Sequence, residues 1–543
     1  MDASISWLKA LWGQDAAATL FRSSSAITTV TAVVLGTLFL VSVKVLVARN
    51  DPLSKLPRPA YTLPLLGNTI EIMGWQRNRM YDWVAEQCEI HRQPWRMHII
   101  GRGPSIVLAT PELFEDVLKT HFDQFPKDES MCTIFRDLFG HGIFAEKAQV
   151  LSDVFAKSES RGEQVSLKAV LNHFTCDVFA KIGFGVEQGS LEGDLRGKLV
   201  NDFVDAAITI SRVMYNRFLT PTWLWQLKRR FSLSDEQHLR KSVQLIDSLV
   251  YKIINASILR KHRLEKEAQE YDEKPPPLTQ NLISMFMETN LLTGAEEEVD
   301  PKAIRDMVVS FIAAGSDTTC QSMLSFVMMM NRHPQVLKKV RAELKLKLPF
   351  LGHDDAKLPT MQDLACLIYL EAAVRENLRL NPAIPVTTRS ASEDMVLSDG
   401  TLVPKGTRVV MSFYATMRSK AIWGEDALEF KPERWINPQT GGLITVSPFK
   451  FSAFLAGPRA CLGKKLGKIE LKMMLAVVLS RFDLTTVENP HEMTYQTGLT
   501  ASVRGPMMID VTRIGCDAGA EATKRSTSAW NLTQKNPSED SVK

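Results

Sequence analysis

The stretch Phe454-Leu455-Ala456-Gly457-Pro458-Arg459-Ala460-Cys461-Leu462-Gly463 decides the fold of this chain. Two glycines permit tight turns around Cys461, Arg459 can meet an anion, and a helical pattern beginning after Gly463 offers free N–H groups. These features stabilise a thiolate and predict a lowered pKa for the Cys461 thiol. Average residue usage would produce the set Phe454, Gly457, Arg459, Cys461 and Gly463 at these offsets in about one chain of this length in ten thousand. A phosphate loop is not predicted, because five residues separate Gly457 from Gly463 and no Ser or Thr follows the next lysine.

The composition is that of a large globular protein. The chain has 543 residues, of which 45% are hydrophobic and 23% charged, so it can bury a large core. Its net charge of +4 is spread over the whole length and is too dilute for nucleic-acid binding, so we expect no nucleic-acid partner. The 7 cysteines are scattered without Cys-x-x-Cys spacing, which argues against a disulfide framework and a structural zinc site.

Residues 23–43 form an uncharged, apolar stretch that is long enough to cross a bilayer as a helix. A cleaved signal peptide is the alternative, but the polar lead-in of 22 residues is long for that class. We predict a lumenal segment at 1–22, a single transmembrane anchor at 23–48 and a Pro-rich hinge at 49–67. Basic residues follow the stretch, and the positive-inside rule then places the bulk of the chain in the cytosol.

The rest of the chain has mostly helical patterns, with a small β region at 394–412 where Asp399-Gly400 and Lys405-Gly406 predict hairpin turns. The polar tail at 514–543 is poor in aliphatic residues and is predicted to be disordered. A long central helix is predicted from Asp300, as its N-cap, to Arg332. Its middle reads Ala314-Gly315-Ser316-Asp317-Thr318-Thr319, which is either an exposed polar stripe or a functional groove.

Four motifs, at 314–319, 376–379, 430–435 and 454–463, resemble motifs of the cytochrome P-450 family in their order along the chain. The stretch at 454–463 resembles the family's haem-binding signature, and Glu376-Asn377-Leu378-Arg379 resembles its Glu-x-x-Arg pair. Phe430-Lys431-Pro432-Glu433-Arg434-Trp435 resembles the segment whose arginine completes an ion network with that pair. The central motif resembles the family's oxygen-activation groove. The resemblance implies a mostly α fold with a small β subdomain, the cytochrome P-450 fold, over residues 68–513.

The resemblance also implies a role for each matching residue. Cys461 would ligate the iron of haem b, Gly315 would let O2 approach the backbone, and the Asp317–Thr318 pair would deliver protons. The residues expected to contact the haem are Phe454, Gly457, Gly463 and the propionate-binding Arg389 and Arg459. The ion network would consist of Glu376, Arg379 and Arg434, and the groove would begin at Ala314.

One part of the family pattern is missing. In the family, a Gly-containing run that residues 138–144 resemble leads into a helix with Trp-x-x-x-Arg, whose side chains hold a haem propionate. Here the chain continues directly into a later part of the fold, which indicates either a deletion near 144–151 or a truncated haem pocket. The Trp-x-x-x-Arg match from Trp225 to Arg229 lies far downstream, and we interpret it as accidental. We therefore expect weak haem retention.

The predicted function is a membrane-bound monooxygenase of the endoplasmic reticulum that faces the cytosol. It would insert one oxygen atom of O2 into a C–H bond of a lipophilic small molecule. The sequence around 423–454 resembles that of fatty-acid and alkane ω-hydroxylases, so the expected substrate is a fatty acid or an alkane. Expected lining residues are Phe311, Ile312, Ala314 and Ile384. No flavin or nicotinamide fingerprint occurs, so a separate NADPH-dependent reductase is expected, docking on Lys464, Lys465 and Lys468. The alternatives are a non-catalytic or haem-deficient truncated form and a haem-thiolate isomerase.

Overall fold

The computed structural model describes residues 52–63, 66–126, 148–184, 195–270, 283, 300–352 and 359–514. The predicted lumenal segment and anchor, the predicted deletion up to residue 147, and the predicted tail from residue 515 lie outside these residues. Within the described residues, no helix is both long enough and apolar enough to span a membrane.

Helices dominate the described residues, which confirms the predicted mostly α fold. The α-helices, in chain order, are α1 Thr69–Met73, α2 Met80–His91, α3 Pro111–Glu115, α4 Ala148–Arg161, α5 Leu167–Phe184, α6 Leu195–Leu219, α7 Thr222–Arg230, α8 Asp235–Glu270, α9 Pro301–Arg332, α10 Pro334–Lys347, α11 Met361–Ala365, α12 Ile368–Leu380, α13 Phe413–Thr416, α14 Lys420–Trp423 and α15 Lys464–Arg481. Short 3-10 turns at Ser452–Phe454 and Gly457–Arg459 lead into α15.

The strands form small sheets, as the sequence predicts. They are β1 Trp95–Met97, β2 Ser105–Leu108, β3 Val165–Ser166, β4 Val386–Ser390, β5 Met395–Val396, β6 Leu402–Val403, β7 Arg408–Ser412, β8 Phe482–Thr486, β9 Tyr495–Gln496, β10 Ser502–Val503 and β11 Met508–Arg513. The described sheets have the orders β1-β2-β7-β4, β3-β11-β8, β5-β6 and β9-β10. The predicted Asp399-Gly400 turn joins β5 to β6, with Gly400 at φ +84°.

The central helix α9 begins and ends where the sequence predicts. Asp300 caps it by accepting a hydrogen bond from the Lys302 N–H at 2.8 Å, and Pro301 occupies its first turn. Its 32 residues are largely buried. Helix α5 packs along it, with Phe179 and Phe311 in edge-to-face contact at 5.6 Å between ring centroids. Helix α15 also packs against α9, so the segment after Cys461 lies against the central helix.

A buried ion network fixes the loop that precedes the Cys461 stretch. Glu376 and Arg379 lie three residues apart on α12, both completely buried, and form two bonds of 2.8 Å. Arg434 Nε contacts the same carboxylate at 3.4 Å, and Trp435 Nε1 donates to it at 2.9 Å. The geometry predicted for Glu376, Arg379 and Arg434 is therefore present. The remaining N–H groups of Arg379 donate to the carbonyls of Met417, Ala427 and Glu429.

Gly457 occupies a position that accepts no side chain. Its φ of +71° lies in the left-handed region, and a Cβ built there would lie 2.0 Å from the Leu118 carbonyl oxygen. Leu118 lies in the short π-helix Asp116–Thr120, which directly follows α3. The Cys461 stretch therefore approaches this turn at backbone distance.

Replacing Arg379 by Ala should destabilise the protein by about 3–5 kcal/mol, because it leaves the buried Glu376 carboxylate without its principal counter-charge. Chemical denaturation measures the loss. The control is Lys420→Ala, which removes an exposed ion pair with Glu425 and should leave the denaturation midpoint unchanged. Equal midpoints for Arg379→Ala and the wild type would show that the network does not stabilise the fold.

Replacing Gly457 by Ala should cost at least about 2 kcal/mol, since left-handed strain adds to a backbone clash with Leu118. Thermal unfolding provides the measurement. The matched control is Gly467→Ala on α15, where a Cβ meets nothing within 4 Å and helix propensity favours Ala by about 0.5–1 kcal/mol. A Gly457→Ala protein as stable as the control variant would contradict the close approach.

Candidate functional site, a thiolate loop beside the central helix

We call residues 454–463 the thiolate loop, and its backbone around Cys461 is held from two sides. The Cys461 N–H donates to the Phe454 carbonyl at 2.8 Å, which closes the loop predicted from the sequence. Phe454 is itself half-buried and packs against the main core. On the other side, Gly463 caps α15, so the loop passes directly into a helix N-terminus. The structure therefore places Cys461 between a closed loop and the positive end of an 18-residue helix.

The electrostatics of Cys461 differ from the sequence prediction. The backbone N–H groups of Gly463 and Lys464 and the Lys464 charge act to lower the pKa of the Cys461 thiol, as expected for a stabilised thiolate. Burial nevertheless outweighs these contributions and raises the pKa of the Cys461 thiol above its usual range. The predicted lowering of the pKa is therefore wrong for the protein alone. Although Cys461 is an exposed residue, partial desolvation of its sulfur outweighs the neighbouring N–H groups and positive charge.

Arg389 and Arg459 lie close enough to repel one another. Burial, followed by the Arg459 charge, lowers the pKa of Arg389 to about 10. Arg389 is buried on β4 and donates to the Thr388 carbonyl at 2.7 Å. Arg459 is exposed, and its guanidinium lies 5.2 Å from the centre of the Phe122 ring. Among the described residues, neither guanidinium pairs with a carboxylate, so this pair of charges suits an anion.

The groove on α9 is formed by Ala314 and Thr318, which lie one helical turn apart. Ala314 is exposed, and the Thr318 hydroxyl donates to its carbonyl oxygen at 2.7 Å. The role predicted for Gly315 needs correction. It is buried, and a Cβ there would lie 2.1 Å from the Phe179 ring, so Gly315 permits α5 to pack closely instead of admitting a ligand.

Asp317 and Thr318 are neighbours in sequence but not hydrogen-bonding partners in the structure. Asp317 Oδ1 accepts from Gln321 Nε2 at 3.0 Å, and Oδ2 accepts from the Thr500 hydroxyl at 2.8 Å. Successive helix residues are rotated by about 100°, so the carboxylate leaves α9 in a different direction from the Thr318 hydroxyl. Sequence reasoning missed Gln321 and Thr500. The spacing of Gln321, four residues after Asp317, could have indicated it, whereas no motif marks Thr500.

Two of the expected lining residues belong to the core. Phe311 and Ile312 are each 1% exposed and pack among buried apolar side chains, so their predicted role as lining is wrong. Ile384, in contrast, is 38% exposed, and Ala314 is also exposed. Of the four residues expected to line the groove, Ala314 and Ile384 are therefore the two that remain accessible.

The predicted basic face on α15 is smaller than the sequence indicates. Lys464 and Lys465 are exposed. Lys468 instead forms an ion pair with the buried carboxylate of Glu371 on α12. That pair ties α15 to the helix of the ion network, and it leaves two of the three predicted lysines for a partner.

The residues present fit a haem group. An exposed cysteine just before the N-terminus of α15 suits a thiolate ligand of iron, and the adjacent Arg389 and Arg459 suit a propionate carboxylate. Gly457 and Gly463 belong to the same loop and shape its backbone. The donor set therefore matches the group that the sequence predicts.

Comparisons with known proteins agree with this geometry. The family model described as Cytochrome P450 matches residues 138–511. Cytochrome P450 CYP94D108 from Paris polyphylla is 30% identical over 437 residues, covering 73% of this chain and 83% of that protein. Cytochrome P450 94C1 from Arabidopsis thaliana is 30% identical over 470 residues, covering 77% and 89%. Alkane hydroxylase MAH1 from Arabidopsis thaliana is 27% identical over 451 residues, covering 76% and 85%.

Family members use haem b, held through a cysteine thiolate, together with O2, and they generally need a separate reductase and bind lipophilic substrates. The match extends over more than half of the chain and includes the thiolate loop, the ion network and the groove on α9. This chain therefore belongs to the cytochrome P450 family of monooxygenases.

Proposed function

We propose that this protein inserts one oxygen atom of O2 into a C–H bond of a long-chain apolar substrate, an alkane or a fatty acid. The observation that carries the proposal is the Thr318 hydroxyl on the accessible face of α9, bonded to the Ala314 carbonyl one turn earlier, with the acid Asp317 as the preceding residue. A hydroxyl next to an acid is what oxygen reduction requires of the protein, because protons must reach a site from which bulk water is kept away.

The chemistry divides between the cofactor and the chain. When bound, haem supplies the redox centre at which O2 is reduced. Cys461 is the proposed iron ligand, and the nearby N–H groups of Gly463 and Lys464 favour its thiolate form. Arg389 and Arg459 are proposed to neutralise a propionate. Asp317 carries a proton to Thr318, whose hydroxyl passes its own proton on and is replenished from the acid.

The substrate class has two supports. One relative is named an alkane hydroxylase. The two accessible residues among the expected lining, Ala314 and Ile384, are apolar, which favours an apolar substrate. An alkyl chain satisfies such a surface by burial alone.

The electrons are proposed to come from a separate NADPH-dependent reductase that docks on Lys464 and Lys465. Both side chains are exposed on the helix that follows the thiolate loop, where an acidic partner would approach the cofactor closely. The uncharged stretch at 23–43 and the basic residues after it support an anchor in the endoplasmic reticulum with the catalytic domain in the cytosol.

A haem-deficient truncated form is the second candidate, and it has a specific observation in its favour. Only residues 127–147 separate the described segment ending at Pro126 from α4, and they contain no tryptophan. A bound propionate would then lack the Trp-x-x-x-Arg donors that the resemblance implies. The isomerase alternative has less support, because it needs neither Asp317 nor Thr318.

Replacing Cys461 by Ala should abolish the thiolate-type spectrum of the reduced carbon-monoxide complex, because the substituted side chain offers iron no sulfur. Hydroxylation of hexadecane and hexadecanoic acid in the presence of an NADPH-dependent reductase should disappear as well. Cys366→Ala, which removes an exposed thiol on another segment, should behave as the wild type. A wild-type chain that shows no such spectrum would favour the truncated form, and a variant that retains it would exclude Cys461.

Replacing Thr318 by Ala should leave that spectrum intact while diverting electrons into hydrogen peroxide. A positioned proton donor contributes about 10²–10⁴ in rate, so product per NADPH should fall steeply. The assay compares NADPH consumed, peroxide released and product formed. Thr318→Ser, which keeps the hydroxyl, serves as the control and should retain most of the coupling. Unchanged coupling in Thr318→Ala would count against the proton-delivering role.

A further inference from the structure

The hairpin formed by β9 and β10, residues Tyr495–Val503, contacts the central helix through one polar side chain. Val503 pairs with Tyr495 and Ser502 with Gln496. At the tip, the Thr500 hydroxyl donates to Asp317 Oδ2 at 2.8 Å. This bond joins residues 183 positions apart in the chain.

Thr500 and Gln321 together determine the orientation of the Asp317 carboxylate. Gln321, on the same helix, donates to Oδ1, whereas Thr500 donates to Oδ2 from a different part of the fold. Hydrogen bonds to a charged acceptor are stronger than those between neutral groups, so each donor holds its oxygen firmly. The carboxylate is thus oriented by two groups other than the Thr318 hydroxyl.

The position of Thr500 is itself well determined, because the hairpin is fixed to two other elements. The Ala501 N–H donates to the Ala383 carbonyl, in the segment after α12, at 2.9 Å. The Tyr81 hydroxyl on α2 donates to the Gly498 carbonyl at 2.7 Å. At the base, the Tyr495 hydroxyl donates to Asp82 Oδ2 at 2.7 Å. A hairpin held at its base and tip presents the Thr500 hydroxyl in one place.

We propose that Thr500 is a positioning residue that acts through Asp317. Its hydroxyl holds the carboxylate in the orientation in which Asp317 takes up a proton from water, so that loss of this bond slows the reprotonation of Asp317. Breaking the Thr500 bond lets the protonated carboxyl turn and donate that proton to the Thr318 oxygen, as the Thr318 hydroxyl proton moves on toward the oxygen being reduced. This inference rests on the proposed monooxygenase function, because it assigns Asp317 a part in that reaction.

The turnover test uses the full-length, haem-loaded enzyme with an NADPH-dependent reductase and hexadecanoic acid as the probe. Thr500→Val keeps the side-chain shape but removes the donor. It should lower kcat by about tenfold and raise the peroxide fraction, with KM little changed. The reason is that a positioned acid, here Asp317, contributes about 10²–10⁴ in rate. Thr500→Ser should restore coupling. The matched control is Thr497→Val in the same hairpin, since that hydroxyl donates to the Arg77 carbonyl, and its coupling should equal that of the wild type.

A folding measurement tests the Thr500–Asp317 bond without turnover. Thr500→Val should raise the unfolding equilibrium constant about tenfold in the wild-type background, and the same change should have little effect when Asp317 is already Ala. Additive effects of the two substitutions, or wild-type coupling in Thr500→Val, would overturn the inference. If the wild-type enzyme itself formed no product, the proposed function would fail, while a non-additive folding cycle would still establish the bond.

Discussion

The buried ion pair of Glu376 and Arg379 is the interaction on which the rest of the site depends. Removing two charges from water is costly, and their mutual attraction compensates only when every polar atom finds a partner. Here the carboxylate is shared by Arg379, Arg434, Trp435 and a backbone N–H, while Arg379 binds the carbonyls of three loop residues. Those carbonyls lie in a segment with little regular structure, so the ion pair supplies the partners that a helix or sheet would otherwise provide.

The network reaches the thiolate loop through aromatic contacts. Trp435, which donates to Glu376, also packs edge-to-face against Phe451 at 4.8 Å between ring centroids. Phe451 comes immediately before the 3-10 turn whose last residue, Phe454, accepts the Cys461 N–H. Gly457 then allows the loop to touch Leu118. The place of one sulfur atom is therefore determined by a charged pair in one direction and by backbone contact in another.

Sequence reasoning succeeded where the deciding interactions are local. A Glu and an Arg three residues apart on a helix share a face, and Asp300 before Pro301 is a strong helix start, so both could be predicted from spacing. Reasoning failed where the outcome depends on which face of α9 meets which neighbour. Gly315 was assigned to the groove, although Ala314 and Thr318, four residues apart, define that face and leave Gly315 turned toward Phe179.

Other features could not be predicted from the sequence at all. The pKa of Cys461 reflects a balance between burial and N–H donors, and a sequence shows only the donors. The two adjacent arginines come from β4 and from the thiolate loop, whose proximity only the folded chain creates. Thr500 lies in an ordinary Gly-Leu-Thr run, and a single hydroxyl bonded to a distant carboxylate leaves no local pattern.

The location of the hairpin near the end of the chain has a consequence for how the protein matures on the ribosome. When residues up to α15 have emerged, the ion network and Cys461 are already present in the nascent chain. Asp317 still lacks the hydrogen bond from the Thr500 hydroxyl, because Thr500 belongs to the last part of the domain to be synthesised. Contacts between distant segments form late because closing long loops costs entropy. We therefore expect the ion network to form before the hydrogen bond between Thr500 and Asp317.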